Sequence, residues 1–142
     1  MTNPTKGSGK CLCGATRLEV KNIARDLGAC HCSICRKWSG GPLLAVDCGT
    51  EVTLHGEENI SVFDSSEWAD RGFCKKCGTH LFYRLKESGQ YIVPVGLIDL
   101  EDDHYNFNHQ VFIDEKPSYY QFANTTNNMT GAEVFARYDQ SK

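Results

Sequence analysis

Short apolar runs separated by turn-forming residues dominate the pattern of hydrophobic and polar positions along the chain. Period-two alternation and β-branched residues favour strands, whereas helical periodicity is weak throughout. Glycine, asparagine and aspartate bound these runs, as expected for turns. The pattern predicts strands at residues 16–20, 42–46, 52–54, 60–63, 81–85, 91–97 and 110–113. The fold class that follows is mainly β.

Helical structure is predicted at only two short segments. Residues 33–38 are expected to form one helical turn, and residues 117–122 a short helix with proline in its first turn. Residues 124–130 contain only asparagine, threonine and methionine, which predicts a surface loop or mobile tail segment. A length of 142 residues predicts one domain over 1–142.

Composition narrows the functional classes. A formal net charge of -3 and a pI of about 5.9 argue against a nucleic-acid partner, which would require a basic surplus. The chain has no run of 18 apolar residues, so no membrane partner is expected. The first ten residues are polar and lack the apolar core of a secretory signal, which predicts a cytoplasmic protein.

Eight cysteines are the unusual feature of the composition. Seven of them form three groups, which are a C-x-C (Cys11, Cys13), a C-x-C-x-x-C (Cys30, Cys32, Cys35) and a C-x-x-C (Cys74, Cys77). Close groups separated by long intervals are typical of metal sites. Thiols also stay reduced in the cytoplasm. We therefore expect metal binding, and we interpret the remaining Cys48 as a small buried thiol.

Glycines divide the three groups into two sites. Cys13 is followed by Gly14 and Cys77 by Gly78, and glycine permits the positive φ that a tight turn after a zinc ligand often needs. The middle group lacks this feature, because Cys35 is followed by Arg36. The pattern therefore predicts a closed, tetrahedral, structural zinc site formed by Cys11, Cys13, Cys74 and Cys77.

The middle cysteines, Cys30, Cys32 and Cys35, are left as a set of three thiolates. Three protein ligands and an open fourth position are typical of a catalytic zinc. A soft three-thiolate site suits a fourth sulfur ligand, which favours a thiol substrate over water activation. An alternative interpretation is a second structural zinc that is completed by a histidine, either His31 or the weaker candidate His80.

Several residues near these cysteines in sequence are candidates for substrate binding. Arg36, Lys37 and Arg71 could bind the carboxylates of a glutathione-like substrate, or they could be solvated charges that balance the thiolates. Trp38 could shape a substrate pocket or pack in the core, and Trp68 leaves the same two options open. Asp99 is a candidate general base, although such aspartates more commonly cap a turn.

The ordered cysteine motifs resemble the glutathione-dependent formaldehyde-activating enzymes, which are grouped with the centromere protein V domain. The matching segments are GKCLCG at 9–14, CHCSICR at 30–36 and RGFCKKCGTHL at 71–81, followed by VGLID at 95–99 and VFIDEKP at 111–117. The match defines a core at about residues 9–122 and leaves 123–142 as a C-terminal extension.

This resemblance implies a β-tent fold of packed antiparallel sheets. It implies two zinc ions, a structural one on the first and last cysteine pairs and a catalytic one on the middle three. Because a three-ligand site lacks one bond of the closed site, we expect the second ion to be held more weakly. The implied reaction adds glutathione to formaldehyde and gives S-hydroxymethylglutathione, which is carbon–sulfur lyase chemistry. The implied partners are therefore a small thiol such as glutathione and an aldehyde, and exposed strand edges favour a homodimer.

Two other functional classes remain open on the sequence. The chain could be a non-catalytic zinc-binding interaction module. It could also be a thiol redox or metal-handling protein in which Cys30, Cys32 and Cys35 cycle between thiol and disulfide.

Overall fold

The structure is a computed structural model that describes residues 4–140, without the side chains of residues 138–140. The described part of the chain forms eleven strands and two α-helices. The strands are β1 (Gly7–Lys10), β2 (Arg17–Val20), β3 (Asp26–Cys30), β4 (Leu43–Asp47), β5 (Val52–His55), β6 (Ile60–Asp64), β7 (Ala69–Cys74), β8 (His80–Leu85), β9 (Tyr91–Pro94), β10 (Asn106–Val111) and β11 (Asn127–Met129). The helices are α1 (Ser33–Ser39) and α2 (Gly131–Gln140).

The strands form two sheets. The smaller sheet is antiparallel with the order β1-β2-β5, and the larger has the order β11-β10-β3-β4-β9-β8-β7-β6. Strand β10 runs parallel to both of its neighbours, β3 and β11, whereas the other pairings between named strands are antiparallel. The fold is therefore mainly β, as predicted, with a mixed sheet.

The buried core lies between the two sheets. Leu18 and Val20 of β2 pack in one apolar cluster with Val46 of β4, Leu81 of β8 and Val93 of β9. These residues alternate with more exposed ones along β2, because successive side chains of a strand point to opposite faces. A bridge between Gly9 and Ile98 also connects β1 to the segment that follows β9.

Most predicted strands are confirmed with small shifts of their ends, but the one predicted at 110–113 covers only the end of β10, which begins at Asn106. The predicted strand at 91–97 ends at Pro94, and a short 3₁₀ turn follows at Val95–Leu97. The helical turn predicted at 33–38 is α1. Strands β1, β3 and β7 were missed, and each contains glycine. In two of them the glycine makes room for an aromatic ring, Gly28 for His109 and Gly72 for Phe82.

Two predictions near the C-terminus are wrong. Residues 117–122 form a turn without helix, after a 3₁₀ turn at Ile113–Glu115. Residues 124–130 are not all loop, because Asn127–Met129 form β11, a polar edge strand. Thr130 then begins α2 with a reciprocal cap, in which its hydroxyl accepts from the Glu133 N–H and its N–H donates to the Glu133 carboxylate.

None of the helices within residues 4–140 has the length and apolar character needed to cross a membrane.

Candidate metal centres and the cavities beside them

Four cysteines from two distant loops form what we call the outer cluster. Cys11 and Cys13 lie between β1 and β2, Cys74 ends β7, and Cys77 lies in the β7–β8 turn. Their sulfur atoms all lie within 4.8 Å of one another, with 3.6 Å between Cys11 and Cys13 and 3.7 Å between Cys13 and Cys74. Sulfurs placed about 2.3 Å from a common tetrahedral centre are about 3.8 Å apart. The outer cluster therefore fits a zinc ion.

Two glycine turns give the outer cluster its shape. Gly14 and Gly78 have φ of 82° and 79°, as the sequence predicted. Their N–H groups donate to the carbonyls of Cys11 and Cys74 at 3.1 and 2.8 Å. Hydrogen bonds from the side chain and backbone of Thr79 lower the pKa of Cys77 to about 5, so its thiol is readily ionised.

Three cysteines within six residues form the inner cluster. Cys30 ends β3, Cys32 is the N-cap of α1, and Cys35 lies in the first turn of this helix. Their sulfur atoms also lie within 4.8 Å of one another. The Cys32 sulfur accepts from the Cys35 N–H at 3.3 Å. The Cys30 and Cys35 thiols, together with this N–H, hold the pKa of Cys32 far below its usual range. The set is suited to a soft cation such as zinc.

His31 lies inside the sequence motif of the inner cluster, but both of its ring nitrogens are hydrogen-bonded to other side chains. It is fully buried, and its two ring nitrogens lie 2.7 Å from the Tyr120 hydroxyl and 2.7 Å from the Gln110 side-chain oxygen. The Gln110 oxygen only accepts, so Nε2 donates to it and Nδ1 accepts from the Tyr120 hydroxyl. Burial lowers the pKa of His31 and keeps the ring neutral. Neither nitrogen is available to a metal.

No fourth donor joins the inner cluster from the part of the chain that the structure describes. The group of converging histidine, cysteine and carboxylate donors contains Cys30, Cys32 and Cys35 alone. His80, the weaker sequence candidate, stacks on Trp38 with a ring separation of 4.5 Å. The donor set therefore differs from that of the outer cluster, which has four sulfurs.

Arg71 is the cation beside the inner cluster. Its side chain is only 2% exposed, and Nη2 donates to the Cys35 sulfur at 3.3 Å. The guanidinium lies over the Tyr83 ring at 5.0 Å and the Trp38 ring at 5.9 Å. Its Nε and Nη1 are buried and have no hydrogen-bond partner among the described residues. A buried cation requires a compensating negative charge, and the Cys32 thiol, whose pKa is lowered, can supply it as a thiolate.

The inner cluster opens into a cavity of about 650 Å³, which we call the inner cavity. All three cysteines and Arg71 line it. The other walls are mostly apolar and come from strands of the large sheet and from α2. Tyr83, His109 and Glu115 are among the lining residues that the sequence did not indicate as candidates. The Glu115 carboxylate accepts from the Ser33 N–H at 3.0 Å, and no local motif signals this long-range contact.

A second, more open cleft of about 540 Å³ lies beside the start of α1. Lys37, Trp38 and His80 line it, and Ser33, Ile34 and Arg71 line both spaces. The structure thus brings three of the four candidate substrate residues, Arg71, Lys37 and Trp38, to the two cavities.

The fourth candidate, Arg36, lies outside the lining of both cavities. Its Nε donates to the His31 carbonyl at 2.9 Å.

Cys48 is fully buried in the core, where burial raises its pKa to about 12, and it joins neither cluster. The candidate general base Asp99 is exposed, and its N–H donates to the Ser8 carbonyl. It lines neither cavity.

Comparisons with known proteins agree on one family. The family model described as glutathione-dependent formaldehyde-activating enzyme matches residues 6–115. An uncharacterized lyase of Schizosaccharomyces pombe is 36% identical over 127 residues, which cover 89% of this chain and 92% of that protein.

Other similarities are more distant or shorter. A putative glutathione-dependent formaldehyde-activating enzyme of Halomonas elongata is 31% identical, and the match covers 52% of this chain and about half, 53%, of that protein. The crystal structure of a Rhodobacter sphaeroides protein has a TM-score of 0.57 and 24% identity, covering 68% of this chain and 92% of that one. This structural similarity supports the fold.

Proposed function

The chain belongs to the glutathione-dependent formaldehyde-activating enzyme family, and we propose that it is a zinc-dependent carbon–sulfur lyase acting on the adduct of a thiol and an aldehyde. One observation carries this proposal. The inner cluster gathers three cysteine sulfurs without a fourth protein donor in the described residues, and it opens into a cavity. Such a site can accept a sulfur from outside the protein.

Each cysteine cluster is assigned one zinc ion in this proposal. Cys11, Cys13, Cys74 and Cys77 would hold a structural ion, and Cys30, Cys32 and Cys35 a catalytic one. Zinc in the inner cluster would supply a soft Lewis acid that favours the thiolate form of an incoming thiol. Three thiolates, one divalent cation and the Arg71 guanidinium together carry no net charge, which suits a buried site.

The reaction needs no oxidant or reductant. A carbon–sulfur bond forms between the thiol and the carbonyl carbon, and the carbon–oxygen π bond breaks. The proton of the thiol ends on the oxygen, and the reverse reaction releases thiol and aldehyde. For a glutathione-like thiol, Lys37 at the second cleft would pair with a carboxylate, and the buried Arg71 would stay beside the cysteine sulfurs.

The cellular setting follows from the same chemistry. All eight cysteines are free, and the clusters need reduced thiols to bind zinc, so we propose a reducing, cytoplasmic environment. A homodimer remains a prediction from the exposed strand edges.

Turnover of Cys32→Ser tests the proposal against the matched control Cys48→Ala, since each change removes one thiol. Serine retains the N-cap acceptor at position 32, so α1 should still form. We expect glutathione addition to formaldehyde, followed by NMR exchange spectroscopy, to slow by more than about a hundredfold, because even outer partners of metal ligands cost about 10- to 100-fold. The control should keep its activity and two zinc ions per chain.

Three outcomes would contradict the proposal. Unchanged turnover in Cys32→Ser would exclude the inner cluster from catalysis. Two equally chelator-resistant zinc ions in the wild-type protein, without turnover, would favour an interaction module. Reversible loss of thiols of the inner cluster in mild oxidant, with one zinc ion per chain, would favour a redox protein.

A further inference from the structure

The walls of the inner cavity are unusual for an enzyme whose aldehyde has a single carbon. A cavity of about 650 Å³ falls within the range of about 300–1,000 Å³ that holds drug-sized ligands, whereas formaldehyde has two heavy atoms. We propose that the inner cavity binds an apolar group of the aldehyde partner, of roughly four to eight carbons. This inference rests on the proposed function, because the reacting carbon is placed at the inner cluster.

The floor of the inner cavity is built from side chains of the large sheet. Leu43 and Ala45 of β4 lie two residues apart and therefore share one face of the sheet. Leu85 of β8, Ile92 of β9 and Val111 of β10 complete this floor. These side chains offer no hydrogen bonds to a ligand, so binding here depends on the burial of apolar surface.

The C-terminal helix closes another side of the inner cavity. Val134 and Phe135 of α2 line it, and the Phe135 ring contacts Trp68 at 5.6 Å and Phe112 at 5.7 Å, both edge to face. Helix α2 lies beyond residues 6–115, the segment that the family model matches. This part of the wall therefore lies outside the segment that the family model matches.

The backbone around Phe112 is arranged to support this wall. Phe112 has a φ of 55°, a left-handed conformation that costs free energy for any residue with a side chain. Gly131 at the start of α2 packs on the Phe112 ring so closely that an added Cβ would come within 2.8 Å of two ring carbons. The conformation and the glycine together hold the aromatic ring against the helix.

Charge argues that the carboxylates of the thiol partner lie outside this space, while its sulfur reaches the inner cluster. Glutathione carries two carboxylates, yet Arg71 is the only lysine or arginine among the described residues that line the inner cavity, and its charge is directed to Cys35. Glu115 adds a negative charge to the same lining. The second cleft, with Lys37 and two serines, is the more suitable place for these carboxylates. The thiol would then reach the inner cluster past Ser33 and Ile34, which line both spaces.

Straight-chain alcohols test the cavity without depending on the thiol. Binding of 1-butanol, 1-pentanol and 1-hexanol to the zinc-loaded full chain would be measured from the methyl NMR shifts of Leu43, Ile92 and Val134. We expect each added methylene to tighten binding by about fourfold. Ala45→Phe, which fills the floor, should flatten this dependence on chain length, whereas Ala123→Phe at an exposed position should preserve it.

A second variant guards against misfolding of Ala45→Phe. Phe135 lines the inner cavity but is also 44% exposed, so Phe135→Ala should fold, and it should weaken hexanol binding more than butanol binding. Absence of shifts at the three methyl-bearing residues in the wild-type protein, or an equal chain-length dependence in Ala45→Phe and Ala123→Phe, would overturn the inference.

Turnover then links the cavity to the reaction. With glutathione as the thiol, the ratio of kcat/KM for hexanal to that for formaldehyde should exceed one and fall in Phe135→Ala. Formaldehyde turnover without alcohol binding would refute the cavity and keep the proposed function. Alcohol binding without turnover of either aldehyde would refute the proposed function and keep the apolar site.

Discussion

The two cysteine clusters differ in how the backbone carries their sulfur atoms. In the outer cluster, Cys13 and Cys74 meet across 61 residues of sequence, and the four thiols connect the β1–β2 loop of the small sheet to the β7–β8 turn of the large one. In the inner cluster, all three thiols come from six consecutive residues at the junction of β3 and α1. A metal in the outer cluster would connect the two sheets. A metal in the inner cluster would connect only residues that are already close in sequence.

The clusters also differ in their surroundings. Cys13 and Cys77 of the outer cluster are exposed, and hydrogen bonds from Thr79 lower the pKa of Cys77. The inner cluster faces an apolar cavity and has a buried arginine as its charge partner. Water therefore reaches two of the four outer thiols, whereas the inner thiols lie beside a buried guanidinium. The cysteine side chains of the two clusters therefore have different surroundings, which suit a structural role in the outer cluster and the proposed catalytic role in the inner one.

The largest difference is expected from removing one ligand of each cluster. Cys74→Ser should lower the melting temperature in zinc-containing buffer by about 10 °C or more, because a structural zinc contributes directly to the free energy of folding. Cys32→Ser should lower it by no more than about 3 °C. Circular dichroism melts, with zinc counted before each scan, would measure both. Equal losses of stability would show that the two clusters are both structural.

Loss of the charge partner should distinguish the clusters by metal affinity. Arg71→Met should weaken zinc binding at the inner cluster by about 10- to 100-fold, as expected for an outer partner of a metal ligand, and leave the outer cluster unchanged. Arg71→Lys should recover part of this loss, since it keeps the charge without the planar fork. Competition with a chromophoric chelator would resolve two steps of zinc release.

A matched control is available for this experiment. Arg84 also lies over an aromatic ring, that of Tyr91 at 5.6 Å, but it lines neither cavity. Arg84→Met should leave both release steps in place. If Arg71→Met and Arg84→Met behaved alike, the buried guanidinium would have no electrostatic role at the inner cluster.

Local signals explain why the cluster assignments and most strands could be predicted from the sequence. Gly14 and Gly78 each follow a cysteine directly and adopt the positive φ that the turn requires. Spacing within Cys30–Cys35 places three thiols on one short strand–helix junction. Such features depend on residues that are adjacent in the chain, so they can be predicted from the sequence without knowledge of the tertiary contacts.

Features that depend on distant contacts could not be predicted in this way. His31 is adjacent to two thiols, yet its side chain is fixed by Gln110 and Tyr120, which lie 79 and 89 residues away. Strand β3 contains Gly28, which is needed because the His109 ring packs directly against it, and the sequence near Gly28 does not indicate this contact. Helix α2 did have a local signal, the Thr130 and Glu133 cap, which the polar composition of the preceding residues obscured.

The smallest expected effect tests whether the His31 ring is independent of the metal site at the inner cluster. Tyr120→Phe removes the hydroxyl that donates to Nδ1 of His31 and leaves a buried acceptor without a partner, which should cost about 1–2 kcal/mol of unfolding free energy. The melting temperature should fall by about 2–6 °C, whereas zinc affinity at the inner cluster should not change. Tyr119→Phe is the matched control, since its ring is 78% exposed. A change of inner zinc affinity in Tyr120→Phe alone would instead connect the His31 ring to the metal, and the inner cluster would then resemble the closed outer one.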